Sequence, residues 1–141
     1  MPAQPRPFLA FRAQPLQARQ DRAARLRSDR ADLCPMLMAL YDPLRKRTLQ
    51  RTRFFGAESM SMAHVQAIVR RELGERLLPT ESVFLFARTF KEGGPPLDTG
   101  VLLSRSLGDT YSSLQSDDHF LYLVATTENA FGHPKRGGPA A

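Results

Sequence analysis

The strongest indication of the fold is the segment Phe120-Leu-Tyr-Leu-Val-Ala-Thr-Thr-Glu-Asn-Ala-Phe-Gly132, close to the end of a chain of 141 residues. Its apolar and β-branched run predicts a buried strand over 120–127. The nine residues after Gly132 include two prolines and two glycines, a composition typical of disorder. A strand that ends in glycine ahead of such a tail is what a protein modifier needs, with its chemistry at its own main-chain carboxyl group and not at a side-chain active site.

An amphipathic helix is predicted in the middle of the chain, over 62–73. Its apolar residues repeat at the i, i+3, i+4, i+8 spacing of a stripe that faces a core. The residues of this stripe are Val65, Ile68, Val69 and Leu73. Ser61 can accept a hydrogen bond from a free amide of the first turn, and Gly74 is a suitable stop. This helix should therefore lie with one face against the predicted strands.

Three more strands and one more helix are predicted before the last strand. The strands cover 33–41, 49–55 and 81–89, and the arginine-rich helix covers 16–30. We expect a long loop over 91–100 and an ambiguous segment over 101–113, with a helical turn near Tyr111. On the alternating strand 49–55 only one of Phe54 and Phe55 can face inward, so one exposed aromatic ring is expected.

This order of elements predicts an α+β fold of the β-grasp type. A four-stranded mixed sheet would cover the crossing helix, with an extra helix at the N-terminal side. A ferredoxin-like sandwich would accept part of the same order. We place a flexible proline-rich segment at 1–15, the domain at 16–132 and a separate tail at 133–141.

The numbers and positions of cysteine and histidine residues limit which disulfides and metal sites the chain can form. The one cysteine, Cys34, lies in an apolar strand and excludes an intramolecular disulfide, which favours a reducing cytoplasm. It has no histidine neighbour and is predicted to be buried and structural. The three histidines have no ligand-like spacing, so we expect no metal and no cofactor. No apolar run reaches the ~18 residues needed to span a bilayer.

Charge is unevenly distributed along the chain. The net charge is +6, with a basic half over 1–71 and a slightly acidic half over 72–141. A basic half attracts acidic protein segments or phosphates. A nucleic-acid-binding module, using the helix 19–30 and Arg45-Lys-Arg47, is therefore a rival function, although no zinc or ribonucleoprotein motif supports it.

Several stretches together resemble one family, the autophagy ubiquitin-like modifiers that include GABA-receptor-associated protein and microtubule-associated-protein light chain three. They are Cys34-Pro-Met-Leu-Met-Ala-Leu-Tyr41, Leu49-Gln-Arg-Thr-Arg-Phe-Phe55, Val65-Gln-Ala-Ile-Val-Arg-Arg-Glu-Leu73, Phe84-Leu-Phe86, Asp118-His-Phe-Leu-Tyr122 and Glu128-Asn-Ala-Phe-Gly132. The resemblance covers about 16–132 and implies the ubiquitin-like form of the β-grasp fold. It also implies that the chain is not an enzyme and carries no catalytic residue.

What the resemblance implies at the C-terminus is processing and conjugation at Phe131-Gly132. A cysteine protease would cut after Gly132, and activating and conjugating enzymes would pass its carboxyl group to an amine, in this family usually that of phosphatidylethanolamine. The chain would then be cytoplasmic, with a conjugated pool on autophagosome membranes. A rival end is Arg136-Gly-Gly138, which imitates the terminus of ubiquitin.

The resemblance also implies docking of short acidic-aromatic receptor motifs by strand addition, through two pockets. The pocket for the aromatic residue, called here the aromatic pocket, would contain Leu26, Pro35, Arg53, Phe55 and Phe120. The pocket for the aliphatic residue would contain Phe54, Gly56, Ala57, Val65, Ile68 and Val69. Arg51 and Arg53 would attract acidic residues. Because Gly56-Ala57 replace a bulkier pair, we expect a wider aliphatic pocket and a looser strand edge.

Two further functions stay open besides the nucleic-acid module. One is an unprocessed β-grasp adaptor that docks peptides and keeps its tail. The other is the autophagy modifier that joins to another protein and not to lipid. That relative commonly ends in Trp-Gly and lacks the proline of the first strand, so Phe131 and Pro35 argue against it.

Overall fold

The structure is a computed structural model that describes residues 4–129. Its helices are α1 (Arg6–Arg12), α2 (Leu16–Asp29), α3 (Met62–Leu73) and α4 (Leu107–Leu114), and a 3-10 turn covers Gly74–Arg76. Its strands are β1 (Leu33–Tyr41), β2 (Arg53–Ala57), β3 (Glu81–Thr89), β4 (Leu97–Gly100) and β5 (Leu121–Asn129). Within the described residues, no helix has the length and apolar character needed to cross a bilayer.

The strands form one mixed sheet in the order β2-β1-β5-β3-β4. β1 and β5 run parallel at its centre, and the other neighbours are antiparallel. Their central place explains the continuous apolar runs of β1 and β5, because both faces of these strands are covered. The predicted α+β β-grasp fold is confirmed.

Two separate cores lie on the two faces of the sheet. Met36 and Met38 of β1 point into the first core, which contains the buried stripe of α3. Leu37 and Ala39, the alternate residues, point into the second core beneath α1 and α2. The sheet is therefore the middle layer of three, and β2 at its outer edge contributes Phe54 to the first core.

The helix α3 has the predicted bounds and caps. The Ser61 side chain accepts a hydrogen bond from the His64 amide at 3.1 Å, and Gly74 follows the last turn with φ at 53°. The predicted stripe is largely buried, with Ile68 half-exposed at its edge. The cap and the stripe together fix which side of α3 faces the sheet.

Two strand predictions were wrong. The sheet has five strands, because β4 lies inside the segment 91–100 that was expected to be a loop. The strand predicted at 49–55 begins only at Arg53, because the Glu72 carboxylate accepts the amides of Gln50 and Arg51 and thereby ties this segment to α3. The ambiguous segment before the last strand contains α4.

The proline-rich segment 1–15 was expected to be flexible, but it contains the helix α1. Pro5 is the N-cap residue and Pro7 lies in the first turn, where a missing N–H costs no helical hydrogen bond. Phe8 and Phe11 are buried in the second core. Packing of these two rings, which periodicity over such a short segment did not reveal, stabilises the helix.

Candidate functional site

The outer edge of β2 has main-chain groups that point away from the sheet. Phe55 lies opposite Pro35 in the register with β1. Since proline has no N–H, this pair cannot exchange two hydrogen bonds, and bonded and non-bonded pairs alternate along an antiparallel ladder. The Met38 amide donates to the Thr52 carbonyl at 2.8 Å, as this alternation requires. The N–H and C=O groups of Arg53 and Phe55 therefore face the free edge.

The side chains of β2 alternate between the core and the surface. Phe54 is 8% exposed and lies in the first core, whereas Phe55 is 49% exposed. The prediction that only one of these two rings can face inward is confirmed. The ring of Phe55 is therefore available at the free edge of β2.

A pocket of about 540 Å³ opens beside this edge. Apolar atoms form its floor and three arginines stand around it. Its lining residues are Met36, Arg51, Arg53, Phe54, Phe55, Gly56, Met60, Ile68 and Arg71. None of these three arginines forms a salt bridge with another of residues 4–129. We call this the open pocket, and its charge favours an acidic ligand.

Gly56 was expected to widen the aliphatic pocket, but the structure shows no such widening. A Cβ at this position would lie 2.5 Å from Cδ2 of Leu107 and 3.3 Å from Cε of Met36. Leu107 is fully buried at the start of α4. The space that a larger side chain would fill is thus occupied by α4 and by a methionine, and the floor of the open pocket is closed.

Most of the residues predicted for the aromatic pocket are buried or half-buried. Phe120 is 2% exposed and belongs to the second core, Pro35 is buried, and Leu26 is half-buried against the same core. Only Arg53 and Phe55 of this set line the open pocket. The ring of Phe11 packs edge-on against Phe120, with centroids 4.8 Å apart.

The predicted aliphatic pocket is partly present. Phe54, Gly56 and Ile68 line the open pocket, but Val65 and Val69 are at most 1% exposed and form the core beneath it. Ala57 is half-buried at the end of β2.

Sequence reasoning missed three lining residues, Met36, Met60 and Arg71. Met36 is the register partner of Phe54 in β1, a pairing that only the sheet specifies. Arg71 could have been predicted, because it follows Ile68 by three positions and therefore lies on the same side of α3. Met60 precedes the helix cap in a segment without periodicity.

The basic helix α2 directs several of its arginines at partners within the domain. Arg19 Nη1 lies 2.7 Å from Asp118 Oδ2, and Arg27 Nη1 donates to the Leu33 carbonyl at 2.7 Å. Arg30, the C-cap residue that follows α2, forms an exposed salt bridge with Asp32. These arginines are held by the fold, which leaves less unpaired charge for a nucleic-acid backbone.

Comparison with known proteins places the chain in a family. The family model described as autophagy protein Atg8, ubiquitin like, matches residues 18–132. The chain belongs to the Atg8 family. Atg8-family proteins are ubiquitin-like proteins of autophagy and are not themselves enzymes.

Similar proteins agree with this assignment. The Atg8-family chain is 29% identical to protein lgg-2 of Caenorhabditis elegans over 84% of each chain. It is 26% identical to autophagy-related protein 8A of Oryza sativa subsp. indica over 84% of this chain and 90% of the relative. The crystal structure of Trypanosoma brucei ATG8 superposes with a TM-score of 0.65 at 22% identity, over 84% of this chain and 93% of that one. The shared fold thus extends over most of the domain in this divergent member.

The conjugation residues predicted for this Atg8-family chain lie outside the described residues. Both Phe131 and Gly132, and the rival Gly138, follow the last described position, Asn129 of β5. The lone cysteine is described: Cys34 is fully buried, as predicted, and burial raises the pKa of its thiol to about 11. A thiol in this state is a poor nucleophile.

Proposed function

We propose that this chain is an autophagy modifier that docks acidic segments of partner proteins at the outer edge of β2 and is conjugated through the carboxyl group of Gly132. The observation that carries the docking proposal is the combination of a free strand edge with the open pocket and its three arginines. Receptors of the autophagy machinery are the expected partners.

Docking by strand addition uses groups that the sheet leaves free. An extended peptide beside β2 would bond to the main-chain groups of Arg53 and Phe55, and each such bond is worth about 0.5–1.5 kcal/mol net. One apolar side chain of the peptide would enter the open pocket, where Met36 and Ile68 form apolar walls. Acidic neighbours would meet the arginines, which sets orientation and raises the association rate.

A pair of charge reversals tests the docking surface. The probe is the labelled peptide Glu-Glu-Trp-Glu-Glu-Leu-Glu, titrated by fluorescence anisotropy. Arg71→Glu should weaken binding about tenfold or more, because it places a like charge at the pocket. Arg70→Glu is the matched control, since Arg70 is an exposed neighbour in α3 that does not line the pocket. Equal losses in both variants would show only a general charge effect and contradict the site.

The proposed conjugation is chemistry of a main-chain carboxyl group. Hydrolysis after Gly132 by a cysteine protease would release 133–141. The freed carboxylate would attack ATP at its α-phosphorus, with pyrophosphate leaving, to give an acyl adenylate. A cysteine thiolate of the activating enzyme would displace AMP, and the thioester would pass to a cysteine of the conjugating enzyme. The amine of phosphatidylethanolamine would finally displace that thiolate and form an amide. Membership of the Atg8 family supports this sequence of steps.

Intact-mass measurement of the protein recovered from its own cells tests the processed end. Loss of 133–141 supports Gly132. Loss of 139–141 alone would assign the end to Gly138, and an unprocessed chain would support the adaptor function.

The acceptor is tested by gel mobility and by localisation. A fast-migrating, detergent-soluble form supports lipid as the acceptor, whereas a slow covalent adduct supports another protein. In starved cells a tagged chain should move from the cytoplasm to autophagosome puncta, and Gly132→Ala should abolish this. Puncta that survive the substitution would contradict conjugation at Gly132.

A further inference from the structure

The aromatic pocket predicted from the sequence is filled by the chain itself. Phe11 of α1 is 1% exposed, and its ring meets Phe120 edge-to-face at 4.8 Å with an interplanar angle of 68°. The guanidinium carbon of Arg53 lies 5.3 Å from the centre of the same ring, and that of Arg22 lies 6.0 Å away. Phe11 thus lies between two residues, Arg53 and Phe120, that were expected to surround the aromatic side chain of a partner.

Contacts of the residues before and after Phe11 hold α1 in place. Phe8, one turn earlier, is fully buried and stacks edge-on against Tyr122 at 5.0 Å. Arg12, the next residue, places its guanidinium 4.0 Å from the centre of the Phe90 ring and 3.3 Å from the Asp117 carboxylate. These contacts hold the Phe11 ring in place without any contribution from a ligand.

Cation–π contacts with Arg53 and Arg22 also favour the Phe11 ring over an aromatic ring from a partner. Cation–π contacts of this kind are worth about 0.5–1 kcal/mol at exposed sites and more where water is excluded. An incoming aromatic side chain would have to replace the packing of Phe11 on Phe120 and its contacts with Arg53 and Arg22. It would gain only equivalent contacts in return, so the exchange offers little net affinity.

We infer that Phe11 is an intramolecular occupant of the aromatic pocket, so that the groove selects partners by a single side chain that enters the open pocket. This inference rests on the proposed docking function and specifies its partner class. The partner is an acidic, extended segment with one aliphatic anchor, whose aromatic residue, if present, contributes little.

A comparison of two peptides on two proteins tests the inference. The peptides are Glu-Glu-Trp-Glu-Glu-Leu-Glu and the same sequence with alanine in place of tryptophan. The full-length chain should bind both within about threefold, since the aromatic pocket is already filled. Phe11→Ala should prefer the tryptophan peptide by about tenfold or more, the discrimination expected when one large ring fills a vacated apolar site.

Controls separate this effect from loss of structure. Leu9→Ala removes a 56% exposed side chain from the same helix and should behave like the unchanged chain. Thermal melting shows whether Phe11→Ala stays folded. If it does not, Phe11→Leu keeps an apolar contact with Phe120 while removing the ring, and the same preference for tryptophan is expected, in smaller measure.

The possible results separate a failure of the inference about Phe11 from a failure of the proposed docking function. If the unchanged chain and Phe11→Ala prefer the tryptophan peptide equally, Phe11 does not occupy the pocket, and the docking function stands without it. If neither peptide binds any of the proteins, the docking function fails and the inference fails with it. A leucine-to-alanine peptide should lose binding to both proteins, because its one anchor for the open pocket is gone.

Discussion

The register between β1 and β2 determines which main-chain groups of β2 face its free edge. Pro35 cannot donate a hydrogen bond across the ladder, so its partner Phe55 presents its own main-chain groups to the free edge. The side chains follow the pleat, with Phe54 buried and Phe55 exposed. At the residue scale the candidate site is therefore a consequence of register as much as of residue type.

Gly56 is a residue at which substitution should be costly. Gly56→Val would place a Cβ 2.5 Å from Leu107 and force the first core to shift. We expect a loss of about 1–3 kcal/mol in the free energy of unfolding, the usual cost of overpacking, measured by urea denaturation. Gly94→Ala is the control, because nothing lies within 4 Å of its Cβ and its φ is not positive. Similar stability of both variants would contradict the close packing at Gly56.

Cys34 should be chemically silent in the folded chain. With the pKa of its thiol raised to about 11 by burial, only about 0.1% of it is thiolate at pH 8. We expect no reaction with a thiol-specific disulfide reagent at pH 8 on the time scale of minutes, and rapid reaction in denaturant. Rapid labelling of the native protein would show that the first core opens at β1.

At the element scale, α1 and the segment before β2 are held by side chains and not by the sheet. Arg12 links α1 to the turn before β5 through Asp117. Glu72 of α3 ties down the amides of Gln50 and Arg51 before β2 begins. Both segments lie beside the proposed docking edge, so long-range polar contacts shape its surroundings.

The connection between β1 and β2 depends on a buried ion pair. Both oxygens of the Glu81 carboxylate accept from Arg47, at 2.8 and 2.7 Å, and Arg47 also contacts Asp42 at 2.7 Å. Hydrogen bonding from Arg47 lowers the pKa of Glu81 to about 2. A carboxyl group with a lowered pKa stabilises the fold above its unfolded pKa, and this contribution is lost as the pH falls from about 4.5 toward about 2.

Glu81→Gln tests this pair. We expect it to lower the free energy of unfolding at pH 7 by about 2 kcal/mol, since a charge-assisted hydrogen-bond pair is broken while Arg47 stays buried. The substitution should also flatten the decline of stability below pH 4.5, measured by denaturation at several pH values. Glu128→Gln, at an exposed position of β5, is the control and should leave both unchanged within about 0.5 kcal/mol.

At the scale of the whole molecule, charge is distributed so that the proposed docking edge is basic. Arg51, Arg53 and Arg71 surround the open pocket, and the half of the chain before 72 is basic overall. Exposed charges interact over about 8–10 Å at physiological salt, so their effect on a partner depends on ionic strength. The affinity for acidic segments should therefore decrease as the ionic strength increases.

Salt dependence measures this contribution. Raising NaCl from about 0.05 to 0.5 M should weaken binding of the acidic tryptophan peptide about tenfold, because screening removes attraction between exposed charges. A peptide with glutamine in place of every glutamate should change less than about twofold. Equal salt dependence of the two peptides would mean that the arginines do not attract the acidic residues.

Much of the fold could be predicted because its signals are local. β1 and β3 have the predicted bounds, since buried strands give uninterrupted apolar runs. α3 was found from its stripe and its serine cap. β4 was missed because it is four residues long, mostly exposed and flanked by glycine and proline, so it lacks an apolar pattern. β2 was placed four residues early because the partners of the preceding amides lie on another element.

The strands β1 and β3, the helix α3 and the family could be predicted from the sequence, because each depends on neighbours within a few positions or on a linear motif. The burial of Phe120 against the ring of Phe11 could be seen only in the folded structure. Phe11 reaches Phe120 across almost the whole chain, as Arg12 reaches Asp117 across 105 positions. No local periodicity records such a contact, since it arises when α1 packs on the second core and places its own ring where a partner's ring was expected.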